Sequence, residues 1–212
     1  DRDAMAAMAR EFDGYITDML ETRRQAGDQA PDDVTTSLMR EQVNGKPMTD
    51  DELVSLMRNW TVGELATISA SVSILLNYLA RHPALLADLK AAPELLPEAI
   101  DEILRMDAPR ISNRRATTRE VEIGGRTIPA GEKITILWAS ANRDEAEFGN
   151  PDSYCPHQNA GKNLLYGAGI HVCPGAPLAR MELQVFMEEF LKQISAIDIA
   201  KDEQPERAMF PT

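Results

Sequence analysis

The chain has 212 residues, with 34 Asp and Glu against 22 Lys and Arg and a formal net charge of −12. That length allows one large domain or two small ones, and the acidic balance argues against a nucleic-acid binder, because phosphate neutralisation needs clustered Lys and Arg. Two cysteines, Cys155 and Cys173, are too few for a disulfide framework, so a reducing, cytoplasmic compartment is expected. No leader is legible in the opening Asp1-Arg2-Asp3-Ala4-Met5, where residues precede the first methionine. No uninterrupted apolar run reads as a membrane span, and no repeat or low-complexity tract interrupts the chain.

In chain order, Met8, Phe12, Ile16, Met19 and Leu20 recur at helical spacing and predict an amphipathic helix from about Ala4 to Arg24. A loop over Gly27 to Asp33 precedes a short helix from Val34 to Arg40, and Asn44-Gly45-Lys46-Pro47 is turn chemistry. Thr49-Asp50-Asp51-Glu52 is a capping box. It opens a long stretch to Leu79 that is apolar nearly all round and predicts a helix buried through a sizeable core. Its small residues Gly63, Ala66, Ser69 and Ala70 would admit close approach to the backbone. His82-Pro83 ends that helix and begins another through Lys90, and Pro97 suits the first turn of a helix over Glu98 to Met106. After Pro109 the texture changes: strands are predicted around Gly124-Gly125, at Lys133 to Trp138 and at Ile194 to Ile199, with an irregular segment over Asn142 to Lys162. The prediction is a mainly α chain with small β-sheets, α+β in class.

The most informative run is Leu164-Leu-Tyr-Gly-Ala-Gly-Ile-His-Val-Cys-Pro-Gly-Ala-Pro-Leu-Ala-Arg180. Gly167, Gly169 and Gly175 would let the backbone take positive φ and pass close to a flat object. From Ala176 onward the residues read as a helix, so Cys173 falls near a helix N-terminus, where unpaired N–H groups favour a thiolate. A thiolate held against a cofactor face is what iron ligation requires. A buried structural cysteine is the plainer alternative. A zinc site fits less well, since His171 and Cys173 lack a second ligand pair at the usual spacing.

The run resembles the haem-binding loop of the cytochrome P450 family, F-G-x-G-x-H-x-C-x-G, with Tyr166 in place of Phe. Glu102-Ile-Leu-Arg105 matches the family's E-x-x-R pair, although such spacing alone is common in solvated surface pairs. In the resemblance the pair pins the irregular segment beneath the haem, and the third member, usually Arg, falls at Gln158 with His157 beside it. Arg115 aligns with the arginine that binds a haem propionate, with Arg114 as its competitor, and His171 would be a second propionate partner; Arg115 could instead be an exposed strand-edge residue, and His171 a structural one. Thr67 falls on the oxygen-activating threonine and Gly63 on the small residue that opens the helix, but Ala66 stands where the family has an acid. Glu64, three residues before Thr67, shares its helix face and could substitute as proton donor. Equally, Glu64 could line a polar groove and Thr67 bond a backbone carbonyl.

The resemblance implies a partial cytochrome P450 domain over residues 1–212, the C-terminal part of that fold. Its landmarks are a central helix over about 49–80, the E-x-x-R helix over about 97–106 and the haem-ligand loop over about 164–175. The chain would stop after Phe210-Pro211-Thr212, before the family's terminal strand loop is complete. It further implies a haem-thiolate monooxygenase holding haem b (iron protoporphyrin IX) through Cys173, with an apolar organic substrate. Electrons from NAD(P)H would arrive through a ferredoxin or a separate or fused reductase, with no membrane and no nucleic acid involved. A non-catalytic haem-binding remnant and a peroxide-using haem enzyme are the alternatives.

Overall fold

The computed structural model describes residues 2–202; the closing Phe210-Pro211-Thr212 lies outside the described residues. The chain divides into two compact units, one through Ala66 and one from Thr67 onward.

In the first unit, helix α1 (Arg2–Ala26) packs Ile16 and Leu20 into a small core with Leu53. Helix α2 (Val34–Arg40) is capped by Asp33, whose carboxylate accepts from Thr36 N–H at 3.0 Å and pairs with Arg23 at 2.7 Å. A hairpin not foreseen in the sequence follows, β1 (Gln42–Val43) against β2 (Lys46–Pro47). Asn44 (φ 54°) and Gly45 (φ 75°) form its two-residue turn in the left-handed region that this dipeptide tolerates. The capping box then closes in both directions: Thr49 N–H donates to Glu52 Oε2 at 2.7 Å and Glu52 N–H to Thr49 Oγ1 at 3.3 Å.

That box starts α3 (Asp50–Arg81), a 32-residue helix in which the division between the units falls. Its burial differs from the expectation. Leu53, Ser71, Leu75 and Leu79 are buried, whereas Leu56, Trp60 and Leu65 are exposed, Leu65 to 69%. Between these extremes, Ile68, Val72, Ile74, Leu76 and Tyr78 are partly buried against the core of the second unit. By length and composition α3 is also apolar enough to cross a membrane, contrary to the reading of its sequence; core helices of soluble proteins have the same composition.

The second unit continues with α4 (Pro83–Ala91) and α5 (Leu96–Met106). Eight residues of α5 are buried, and it carries the core formed with Leu75, Leu79, Leu86, Leu89, Leu183, Met187 and Leu191. Two antiparallel ladders follow: β3 (Ser112–Ala116) pairs with β6 (Lys133–Leu137), and β4 (Val121–Ile123) with β5 (Arg126–Ile128) through the Gly124-Gly125 turn. A one-turn helix, α6 (Trp138–Ala141), follows β6, and the segment expected to be irregular contains two more, α7 (Glu145–Phe148) and α8 (Pro156–Asn159). Helix α9 (Ala176–Gln193) closes the core. Ile194 to Ile199 is not a strand; it runs without ladder partners, and Ile194 and Ile197 pack as single apolar contacts on the core. Alternating apolar residues satisfy that packing without any sheet.

Candidate functional site

Glu102 and Arg105 lie one turn apart on α5 and are 2% and 0% exposed. Arg105 grips Glu102 with two bonds, Nε to Oε2 at 2.7 Å and Nη2 to Oε1 at 2.9 Å. Its remaining donors reach the carbonyls of Asn142 (Nη1, 2.6 Å) and Pro151 (Nη2, 2.9 Å), and the guanidinium lies 4.8 Å from the Phe148 ring centre. Glu102 Oε1 accepts in addition from Cys155 N–H at 2.9 Å and Asn159 Nδ2 at 2.8 Å. Burial alone would raise the Glu102 carboxyl, but bonds from Arg105, Cys155 and Asn159 hold it below its ordinary value. This is a closed buried cluster, not a solvated surface pair.

The cluster corrects one expectation. Gln158 is exposed, and the buried amide that joins the pair is that of its neighbour Asn159. His157 turns outward to Glu98, 2.6 Å away at the surface. Cys155, without a role in the sequence reading, contributes its backbone N–H.

From the cluster, two asparagines lead to the cysteine loop. Asn142 is fully buried, and its Oδ1 accepts from Leu164 N–H at 2.8 Å. Asn163 Oδ1 accepts from Leu165 N–H at 2.8 Å, while its Nδ2 donates to the Asp101 carbonyl at 3.0 Å. The loop then folds on itself: Gly167 N–H donates to Leu164 O at 2.9 Å and Cys173 N–H to Tyr166 O at 2.8 Å. Gly167 and Gly169 have φ of 74° and 69°, which β-carbons would strain. Gly175 does not take positive φ as expected; at −83° it is the N-cap of α9, and a β-carbon there would lie 3.8 Å from Cys173 Sγ. Neither its dihedral nor its protein contacts demand glycine.

Cys173 is a free, exposed thiol, and its carbonyl accepts the first N–H of α9, from Ala176, at 3.3 Å. A buried structural cysteine is therefore excluded. Ile170, beside it in the loop, is 96% exposed. On the far side, Arg180 of α9 pairs with Asp101 at 2.9 Å and lies 4.4 Å from the Tyr166 ring centre. The Tyr166 hydroxyl is buried without a hydrogen-bond partner, and burial followed by the Asp101 charge raises it to about 12.

Strand register separates the two candidate arginines. Arg115 is half-buried and shares a strand face with Asn113, whereas Arg114 points to the opposite, exposed face. Asn113 Oδ1 accepts from Trp138 Nε1 at 2.7 Å, and Trp138 lies where a Gly167 β-carbon would meet it at 4.0 Å. Arg115 thus shares the strand face that Trp138 ties to the cysteine loop. Its Nη1 donates to the Arg114 carbonyl at 2.8 Å. His171 is exposed in a one-turn 3-10 helix, Gly169–His171. On α3, Thr67 is half-buried and its carbonyl accepts from Ser71 Oγ at 2.7 Å; Glu64 accepts from Trp60 Nε1 at 3.1 Å. Trp138, Asn142, Asn159 and Asn163 escaped the sequence reading. The only available signal was polar amides in a segment otherwise lacking periodicity.

The fold is mainly helical with small sheets, and one exposed thiol stands just before a long helix. The family model for cytochrome P450 matches residues 92–210. Cyclomarin C epoxidase CymV of Salinispora arenicola is 36% identical over 177 residues, 84% of this chain and 44% of that protein. A 20-oxo-5-O-mycaminosyltylactone 23-monooxygenase of Streptomyces fradiae is 41% identical over 119 residues, 56% of this chain and 28% of that one. Among solved structures, CYP109E1 from Bacillus megaterium in complex with testosterone superposes with a TM-score of 0.88 at 26% identity. The match covers 99% of this chain and 58% of that one. CYP109Q5 from Chondromyces apiculatus gives 0.78 at 35% identity, over 86% and 46% of the two chains. The chain belongs to the cytochrome P450 family. It spans less than half the length of these two sequence relatives.

Proposed function

We propose that the protein is a cytoplasmic haem-thiolate monooxygenase that inserts one oxygen atom from O₂ into an apolar organic substrate. The observation that carries this reading is the exposed Cys173 thiol, held by Tyr166 and the first turn of α9. The donor set fits haem. Among the described residues no group of three or more His, Cys, Asp or Glu side chains could hold a metal ion. A lone thiol would suit an iron whose remaining ligands come mainly from a macrocycle, and does not suit zinc. Haem b, when bound, supplies O₂ activation, and thiolate ligation favours O–O cleavage.

The chain's own residues supply placement and protons. Cys173 Sγ would be the metal ligand, with Gly167, Gly169 and Gly175 keeping the surrounding loop low. Arg115 and His171 would take the propionates, since guanidinium pairs bidentately with carboxylate. Glu102 and Arg105 would pin the irregular segment, through Asn142, Pro151, Cys155 and Asn159. Thr67 Oγ1 would hold and pass on a proton at the oxygen site, with Glu64 or ordered water behind it. Electrons would come from NAD(P)H through a ferredoxin or a fused or separate reductase. The matched CYP109E1 structure spans the region of α3, and we read that helix as a core element rather than a membrane span.

The test is the carbon-monoxide difference spectrum of the haem-loaded protein. Cys173→Ser should abolish the thiolate-type Soret band and Cys155→Ser should leave it; the reverse result overturns the assignment. A peroxide-using enzyme is the second reading, favoured by Ala66 in the acid's place and by the Trp60 bond that engages Glu64. A positioned proton donor contributes about 10²–10⁴-fold. Thr67→Ala should therefore raise the share of NAD(P)H electrons recovered as hydrogen peroxide, and Ala66→Asp should lower it. If neither variant moves that share, α3 does not control protons, and the second reading stands.

A further inference from the structure

We infer that Asn142 is a positioning residue for the Cys173 thiolate, joining the Glu102–Arg105 cluster to the loop; the inference rests on the haem-thiolate reading above. Asn142 contacts both sides. Its carbonyl receives Arg105 Nη1 at 2.6 Å, and its side-chain Oδ1 receives Leu164 N–H at 2.8 Å. Leu164 O in turn accepts from Gly167 N–H at 2.9 Å, and the adjacent Tyr166 O accepts from Cys173 N–H at 2.8 Å. Asn142 Nδ2 reaches Asn163 Oδ1 at 3.4 Å, the acceptor that also fixes Leu165 N–H. An amide is suited to this place because it presents an acceptor and a donor from one planar group. The guanidinium of Arg105 stops short of the loop; its donors end on Glu102, Asn142 and Pro151. A run of hydrogen bonds from the ion pair to the backbone of the cysteine loop therefore passes through the Asn142 side chain, on a residue 0% exposed.

The experiment uses the haem-loaded protein in parent, Asn142→Ala and Asn142→Asp forms. Asp keeps an acceptor for Leu164 N–H but removes the donor to Asn163; Ala removes both. The readout is the time course over which the ferrous carbon-monoxide complex loses its thiolate-type Soret band in mild denaturant, beside the far-ultraviolet melting temperature. Loss of band in Asn142→Ala should be at least tenfold faster than in the parent, with Asn142→Asp within threefold of the parent. Equal rates for Ala and parent overturn the inference. So do Ala and Asp variants that accelerate equally and melt equally early, because that pattern marks general destabilisation. Should Asn142→Ala fail to take up haem, Asn163→Ala, which removes the Leu165 anchor, takes its place: tenfold faster loss of the band supports the inference, and a rate equal to the parent's overturns it. A parent protein with no thiolate-type band overturns the haem-thiolate reading and this inference together, whereas a normal parent with an unmoved Ala variant overturns the inference alone.

Discussion

The Glu102–Arg105 cluster and the Cys173 loop are joined by a short run of hydrogen bonds, yet they are built on opposite plans. Around the ion pair every charge is buried and answered: two bonds between the partners, two carbonyls for the guanidinium, and two N–H donors for the carboxylate. In the loop the backbone is equally well bonded, but the side chains of Ile170, His171, Val172 and Cys173 face outward. The first plan spends hydrogen bonds to fix a shape, and the second uses a fixed backbone to present exposed side chains, the Cys173 thiol among them. Damage to the cluster should therefore be felt as lost stability, and damage at the loop tip as lost chemistry.

The largest effect that tests this contrast is Glu102→Ala. It strands a buried guanidinium, which typically costs about 3–5 kcal/mol, and denaturant unfolding should register that loss together with reduced haem content. An unchanged melting temperature would mean the cluster is no more structural than a surface pair. Acid probes the same group. Its carboxyl titrates lower in the folded chain than its ordinary value of 4.5. The stabilisation is therefore complete above that value and is lost as pH falls through the depressed folded one. Stability measured from about pH 7 downward should hold to near 5 and then decline, and Glu102→Gln should flatten the decline.

Next comes Asn159→Ala, which deletes one hydrogen bond to a buried charge and should cost about 1.5–3 kcal/mol. Gln158→Ala, one residue away and exposed, should change stability by less than about 0.5 kcal/mol. Finding the two reversed would restore Gln158 as the third member of the cluster. The smallest expected effect belongs to the loop tip: in haem-free protein Cys173→Ser should shift stability by about 0.5 kcal/mol or less. A large loss there would show that the thiol supports the fold, and the contrast between the regions would dissolve.

What could be read from the sequence follows the range of the interactions. The Thr49–Glu52 box, the Gly124-Gly125 turn and the helix after Cys173 are local signals, fixed by residues a few positions apart. The ion pair was legible as a spacing, but its burial was not, because its partners stand 37 to 57 positions away in the chain. Asn142, Asn159 and Asn163 bond across similar distances and leave no periodic trace. The errors share a cause as well. The apolar face of α3 predicted burial, and the alternation of Ile194 to Ile199 predicted a strand. Apolar pattern reports which surface would gain by being covered; it does not report what covers it.

The asparagine-held backbone has a consequence for exchange with solvent. Cys155, Leu164 and Leu165 lie outside every regular helix and strand, where amide hydrogens ordinarily wash out fast. Each of the three N–H groups is instead locked to a side chain of the polar cluster, at 2.9, 2.8 and 2.8 Å. Their release requires Glu102, Asn142 or Asn163 to let go, and the first two of these side chains are buried. In deuterated water these irregular positions should retain their hydrogens on the timescale of α5, placing an unstructured-looking stretch in the slowest-opening cooperative unit of the protein.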